Sequence, residues 1–290
     1  MYKLRAHKLA TLFKLCSSPV FRKLQLYPVT LIYNNPLNSA TPMSEFNILW
    51  PKVVLFGDSL TQNSFNVQDG FWGALLADRL QRKADVIARG FSGYNTRMSK
   101  VILPRIFNSD NMKEVSCLVI CLGANDACEI AATTRQHIPL EEYCENLKEM
   151  IDYLKSIGLK LDQIILMSPP PYDHEKYKAY CEDQGKEEPV RNNVTVKQYA
   201  EACCQVALTC GIEGINLYAA MMQDVKWQRF LGDGLHFSSE GSSFVFKLLW
   251  PSIEKRVAHL QQILPLWSDI NREDPSIDLL PHKDSKVADG

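Results

Sequence analysis

From residue 50 onward, short apolar runs alternate with longer segments in which apolar residues recur every three or four positions. Short runs rich in β-branched residues are typical of buried strands, and the longer spacing predicts amphipathic helices. The predicted strands are residues 52–56, 84–88, 117–122, 163–167 and 214–217. The predicted helices are residues 71–82, 96–107, 140–157, 194–210 and 239–260, the last with a kink at Pro251.

Strands that alternate with helices of this length predict an α/β fold. We expect a three-layer sandwich in which helices cover both faces of a mainly parallel, five-stranded sheet. Sites in such folds lie beyond the carboxyl ends of the strands. The polar residues that follow the strands are therefore the first candidates for a functional site.

The first 44 residues differ in composition from the rest of the chain. They contain six Lys or Arg and no acidic residue before Glu45. A basic, acid-free, Leu-rich segment is typical of a mitochondrial presequence. The alternative is that Met43 is a start codon and the preceding stretch an extension. We predict a basic extension over 1–44, one domain over 45–268 and a polar tail over 269–290, whose apolar residues are a candidate contact with another copy of the chain.

Composition and charge exclude several classes of protein. Hydrophobic residues make up 46% of the chain and charged residues 22%, which excludes a disordered or fibrous protein. The net charge of −1 and the lack of a basic stripe in the body argue against a nucleic-acid partner. No apolar run approaches the roughly 20 residues of a membrane-spanning helix, so we expect no stable membrane insertion.

Nine cysteines without metal-ligand spacing predict free thiols in a reducing compartment and no bound metal. We therefore expect a cytoplasmic protein. If residues 1–42 act as a presequence, the expected compartment is instead the mitochondrion.

Candidate chemistry clusters at the predicted strand ends. Ser59 follows the first strand, Gly93 the second and Asn125 the third, and Asp233 and His236 precede the last helix. Acyl transfer from an ester needs a hydroxyl nucleophile, a base, a group that orients the base, and donors for the oxyanion. Taken alone, the G-D-S motif is better explained as a turn, and each of the other motifs is consistent with a turn or a helix cap. Their occurrence together and in this order favours acyl transfer.

Four segments, FGDSLTQ, RGFSGYNTR, LGAND and DGLHFSSEG, resemble the four sequence blocks of the GDSL or SGNH hydrolases. Within that superfamily, residues 50–266 are similar to the isoamyl acetate-hydrolysing esterase subgroup. The resemblance implies the flavodoxin-like strand order of SGNH hydrolases. It also implies a serine esterase that needs no cofactor and no metal and acts on a small-molecule ester.

The resemblance also implies the roles of individual residues. Ser59 is the expected nucleophile, His236 the general base and Asp233 the group that orients it. The backbone N–H groups of Ser59 and Gly93 and the side-chain amide of Asn125 are the expected oxyanion hole. An unhindered glycine backbone and a neutral amide donor suit that role.

The site residues are compatible with several acyl carriers. Short acyl esters of small alcohols are the leading substrate class, and the same site would serve a thioesterase, a lysophospholipase or a carbohydrate deacetylase. A non-catalytic binding protein on the same fold is the alternative from another class. The segment 169–191 is either a lid that selects substrates or an ordinary surface excursion, and Asp58 and Asp126 are expected to be structural.

Overall fold

A computed structural model of the 290-residue chain describes residues 48–66, 72–129, 135–187 and 191–280. All of these residues belong to one structural unit, which begins at Ile48. The predicted extension over 1–44 lies outside the described residues, as does the part of the predicted tail after residue 280. The proposed division into extension, domain and tail stays a prediction.

Five parallel strands form one sheet in the order β2-β1-β3-β4-β5. The strands are β1 (Lys52–Gly57), β2 (Asp85–Gly90), β3 (Val115–Cys121), β4 (Ile164–Met167) and β5 (Glu213–Ile215). In β1 and β3, at the centre, nearly every residue is buried, as expected for parallel strands covered on both faces. The predicted α/β fold is therefore confirmed, and the strand order is the flavodoxin-like one.

Helices cover both faces of this sheet. In chain order they are α1 (Ser59–Gln62), α2 (Trp72–Arg79), α3 (Thr96–Ile106), α4 (Leu140–Ser156), α5 (His174–Asp183), α6 (Asn193–Cys210), α7 (Leu217–Met222), α8 (Ser239–Val257) and α9 (Ser276–Leu279). Helices α3, α4 and α6 pack side by side, and α2 packs against α8. Right-handed crossovers put the first group on one face and the second on the other. The three-layer sandwich is thus complete.

The structure departs from the sequence prediction at the C-terminal edge of the sheet. Strand β5 was expected over 214–217 but ends at Ile215, because the side chain of Asn216 caps α7 by accepting a hydrogen bond from Ala219 N at 2.8 Å. Leu217 therefore begins a helix instead of ending a strand.

The segment 169–191 contains a helix that its polar sequence did not predict. Helix α5 is capped by Asp173 and buries Tyr177 and Cys181 against the rest of the protein. Part of this segment is therefore packed structure. Its role as a lid stays a prediction.

Among the described residues, no helix has both the length and the apolar character needed to cross a membrane.

Candidate active site

Ser59 lies at the carboxyl end of central strand β1 and is the first residue of helix α1. The carboxylate of the preceding residue, Asp58, accepts a hydrogen bond from Leu60 N at 2.9 Å and caps the helix. The chain thus turns sharply from strand to helix at the serine, which is 7% exposed. As a first-turn residue, Ser59 has a backbone N–H without an intrahelical acceptor.

Asp233 and His236 share one tight turn before helix α8. The turn is closed by a hydrogen bond from Gly232 N to His236 O at 2.7 Å. One oxygen of Asp233, Oδ1, accepts the backbone N–H groups of Leu235 and His236 at 2.9 and 2.7 Å. The other, Oδ2, lies 2.7 Å from Nδ1 of the His236 ring. The aspartate therefore holds both the backbone and the ring of the histidine.

The tertiary fold brings this turn to the serine. His236 Nε2 lies 3.0 Å from Ser59 Oγ, although the two residues are 177 positions apart in the chain. A nucleophile and a base within this distance, with a third group that orients the base, form the arrangement needed to activate a hydroxyl. The three residues predicted from the sequence are thus brought together.

The charge state of Asp233 determines which ring nitrogen carries the proton. Burial alone would raise the pKa of this carboxyl, but the hydrogen bond and charge of His236 and two backbone N–H groups outweigh burial and lower it. An ionised carboxylate can only accept hydrogen bonds, so Nδ1 of His236 must donate. In the neutral form of the ring, Nε2 then carries no proton and can accept the hydrogen bond of the Ser59 hydroxyl.

Gly93 and Asn125 follow the two strands that flank β1. Gly57 is paired with Gly90 of β2 and with Cys121 of β3, so the segments that follow start side by side. Gly93 has a φ of +80°, a conformation that residues with a Cβ adopt only with strain. In the described part of the chain, its backbone N–H has no hydrogen-bond acceptor. It is therefore available to a ligand.

The side chain of Asn125 is 5% exposed and held on both sides. Its Nδ2 donates to Tyr94 O at 2.9 Å, which uses one of its two N–H bonds. Its Oδ1 accepts hydrogen bonds from Gln136 Nε2 at 3.1 Å and from Arg191 Nη2 at 3.3 Å. The second N–H of this amide has no acceptor among the described residues.

Two further carboxyl groups lie at the same edge of the sheet. Asp58 is fully buried, and burial raises its pKa to about 6 despite the Leu60 hydrogen bond. Burial also raises the pKa of Asp126 to about 7, although this carboxyl accepts hydrogen bonds from the N–H and hydroxyl of Thr96 at 2.9 and 2.5 Å. Asp58 caps its own helix and Asp126 holds the start of α3 through Thr96, which agrees with the structural roles predicted for them.

Gln136 and Arg191 were not predicted from the sequence. Each is a single polar residue outside the four motif segments, so no pattern distinguishes it from a surface residue. Only the tertiary structure brings them against Asn125. The described residues contain no group of three or more His, Cys, Asp or Glu that could hold a metal ion.

Comparisons of the sequence agree with this geometry. The family model described as GDSL-like Lipase/Acylhydrolase matches residues 53–249. The chain is 46% identical over 234 residues to the Homo sapiens protein named isoamyl acetate-hydrolyzing esterase 1 homolog, covering 80% of this chain and 93% of that protein. The Rattus norvegicus protein of the same name is 44% identical over 236 residues, covering 81% of this chain and 94% of the rat protein.

A solved structure supports the fold independently. The lipase/acylhydrolase from Enterococcus faecalis superimposes with a TM-score of 0.55 at 24% sequence identity, covering 73% of this chain and 98% of the bacterial one. At that identity the likeness supports the fold alone. With the family match and the relatives above, the predicted family is confirmed. The chain belongs to the GDSL-like lipase/acylhydrolase family and is a carboxylic ester hydrolase.

Proposed function

We propose that this protein is a serine esterase that hydrolyses short acyl esters, above all acetates, of small alcohols through an acyl-enzyme intermediate. The observation that carries the proposal is the hydrogen-bonded chain from Asp233 through His236 to Ser59, with distances of 2.7 and 3.0 Å. A hydroxyl is a weak nucleophile unless a base takes its proton, and His236 is the base in this hydrogen-bonded series.

The reaction proceeds in two steps. His236 Nε2 accepts the proton of Ser59 as Oγ attacks the ester carbonyl, and the negative charge that develops on the carbonyl oxygen is stabilised by N–H donors. The alcohol then leaves with the proton from His236. Water, activated by the same imidazole, attacks the acyl-enzyme and releases the acid and Ser59.

Asp233 stabilises the imidazolium that forms in each step. Its pKa is held below the usual range, so the carboxylate stays ionised near neutral pH. The proposed oxyanion donors are the backbone N–H groups of Ser59 and Gly93 and the remaining N–H of Asn125. Removal of one donor of this kind typically lowers kcat by roughly 10²–10³-fold.

The preference for small alcohols is supported by the relatives. The alignments cover over 90% of the human and rat proteins, and both proteins carry the name isoamyl acetate-hydrolyzing esterase 1 homolog. Isoamyl acetate is an ester of a two-carbon acid and a five-carbon alcohol, and we propose this size class for the present enzyme.

A chain-length panel tests both the reaction and the substrate class. Hydrolysis of the p-nitrophenyl esters of acetate, butyrate, octanoate and palmitate, and of isoamyl acetate itself, is compared between the wild type and Ser59→Ala. We expect the short esters to be preferred and kcat to fall by roughly 10⁴-fold or more in the variant.

A matched control for this test is Ser99→Ala, because Ser99 is buried in α3 and its hydroxyl has no hydrogen-bond partner among the described residues. We expect this variant to keep full activity. Equal rates for the wild type and Ser59→Ala would reject the serine mechanism. Faster turnover of an acyl thioester, a lysophospholipid or an acetylated sugar would move the substrate class to those carriers.

For localisation we propose the cytoplasm, with the mitochondrion as the alternative if residues 1–42 act as a presequence. The eight described cysteines are all free thiols, which suits a reducing compartment. Mass spectrometry of the native N-terminus distinguishes the two compartments. Loss of roughly the first 42 residues together with mitochondrial fractionation would overturn the cytoplasmic proposal.

A further inference from the structure

Two polar side chains, the buried Arg191 and the half-buried Gln136, support the proposed oxyanion hole from behind. Gln136 Nε2 donates to Gly93 O at 2.8 Å and to Asn125 Oδ1 at 3.1 Å, so one amide links both predicted donors. Arg191 donates through Nη2 to Asn125 Oδ1 at 3.3 Å and through Nε to Ala124 O at 3.1 Å. The guanidinium thus holds the backbone and the side chain of the Asn125 turn together.

The environment of Arg191 is unusual for a charged group. The residue is 3% exposed, and the acceptors of its hydrogen bonds are the neutral oxygens of Ala124, Asn125 and Gln136. Its Nη1 has no hydrogen-bond partner among the described residues. The guanidinium carbon lies 6.0 Å from the centre of the Tyr177 ring, and the charge of Arg191 lowers the pKa of the Asp58 carboxyl against the larger effect of burial. The ring and the carboxyl offset part of the cost of burying this charge, but the hydrogen bonds of the guanidinium are all directed at the Asn125 turn and Gln136.

The hydrogen bonds to Asn125 Oδ1 have a direct effect on the other end of the amide. Two donors on Oδ1 fix the orientation of the side chain, so its nitrogen must face Tyr94 O and the site. A donor that carries a positive charge also withdraws electron density from the amide oxygen, which strengthens the N–H groups as donors. The stabilisation that the positive charge of Arg191 provides is largest when negative charge develops on the substrate oxygen.

We propose that Arg191 is a positioning residue for ester hydrolysis, which orients and polarises the Asn125 amide so that its free N–H stabilises the oxyanion. This inference rests on the proposed function. Arg191 acts through Asn125 and does not itself touch the substrate. Its contribution therefore arises in the transition state and should change kcat much more than KM.

A double-mutant cycle with Asn125 tests the proposal. The kcat and KM for p-nitrophenyl acetate are measured for the wild type, Arg191→Met, Asn125→Ala and the double variant. We expect Arg191→Met to lower kcat by roughly 10–100-fold with KM changed less than about threefold, and Asn125→Ala to lower kcat by roughly 10²–10³-fold. The double variant should be no slower than Asn125→Ala, because the effect of Arg191 passes through the amide.

Two further variants separate positioning from folding. Arg191→Lys keeps the charge and should recover at least part of the lost kcat. Arg256→Met removes another largely buried arginine, which binds Glu213 and Ser252 O at 2.7 Å outside the site, and should lower thermal stability while kcat is retained. If Arg191→Met does not fold, the comparison of Arg191→Lys in the wild-type and Asn125→Ala backgrounds gives the same cycle.

Independent effects of Arg191 and Asn125 on kcat would overturn the inference, as would an effect on KM alone or none at all. These outcomes leave the proposed function intact as long as the wild type shows activity that Ser59→Ala lacks. The rate at which a fluorophosphonate labels Ser59 gives a second readout that needs no ester turnover. If the wild type hydrolyses no ester, an unchanged labelling rate in Arg191→Met still rejects the inference, and a rate lowered as in Asn125→Ala still supports it.

Discussion

Two buried carboxyl groups, Asp58 and Asp126, lie beside the residues of the candidate active site. Burial raises the pKa of the first to about 6 and of the second to about 7. Between the usual carboxyl pKa near 4 and these values, the folded protein binds more protons than the unfolded chain. The free energy of unfolding therefore falls as pH rises through this range, and the loss is complete above the folded pKa values.

Asp126→Asn should flatten this pH dependence. An amide oxygen can still accept both hydrogen bonds from Thr96, but the side chain no longer titrates. Relative to the wild type, the variant should gain stability steadily from pH 4 to pH 7. Urea unfolding at several pH values measures the free energy of unfolding of both proteins. Asp78→Asn, which replaces an exposed carboxyl, is the control. Parallel stability curves for wild type and Asp126→Asn would show that the buried carboxyl does not titrate in this range.

At the scale of elements, helix α5 and the turn that carries Asp233 and His236 are in direct contact. Asp173 N donates to Gly234 O at 2.9 Å, and Lys176 Nζ donates to Leu231 O at 2.5 Å. A Cβ at Gly234 would lie 2.5 Å from the backbone atoms Asp173 O and Tyr177 N. Only glycine allows the two segments to come this close, so α5 fixes the position of the turn.

Gly234→Ala should therefore reduce activity by moving Asp233 and His236 away from the serine. We expect kcat to fall by at least about tenfold, since small displacements of catalytic groups have large effects. The matched control is Gly158→Ala. The φ of Gly158 is +105°, similar to the +96° of Gly234, but no atom lies within 4 Å of a Cβ added at Gly158. Both variants should lose stability from backbone strain. Equal kcat values in the two would refute the role of the close approach.

Elements with strong periodicity could be predicted from the sequence, because burial on one or both faces imposes the pattern. All five strands and the helices α2, α3, α4, α6 and α8 appear where that pattern predicts them, within a few residues. Helix α5 was missed because its polar sequence is typical of a loop, and the helix is stabilised by the Asp173 cap and by burial of Tyr177 and Cys181. Ser59, His236 and Asp233 could be named because a motif carries each of them. Arg191 and Gln136 could not, because their significance lies in contacts made across the fold.

At the scale of the whole molecule, the hydrophobic core is continuous from the sheet to the helices on both faces. Leu55, Leu118 and Ile165 on three neighbouring strands are fully buried, as are Leu76 of α2 and Leu147 of α4. The structural unit that contains this core begins at Ile48. The described part of the chain therefore contains both the core and the candidate active site.

A variant that begins at Met43 should accordingly match the full chain in kcat, KM and thermal midpoint. All residues of the candidate active site and both faces of the sheet are retained in it. Circular dichroism melts and ester hydrolysis of the two proteins, purified in parallel, provide the comparison. A lower thermal midpoint or a lower kcat in the shorter protein would assign residues 1–42 a part in folding or catalysis.

The order of the site residues along the chain has a consequence for synthesis. The proposed base, His236, follows the proposed nucleophile, Ser59, by 177 residues, whereas Asp233 precedes His236 by only three. At about 5–20 residues per second, a ribosome makes Ser59 roughly 10–35 s before His236. During this interval the nascent chain carries a serine without its base and remains unreactive towards esters. Under the proposed mechanism, the enzyme can become active only after all five strands and the turn that carries Asp233 and His236 have been made.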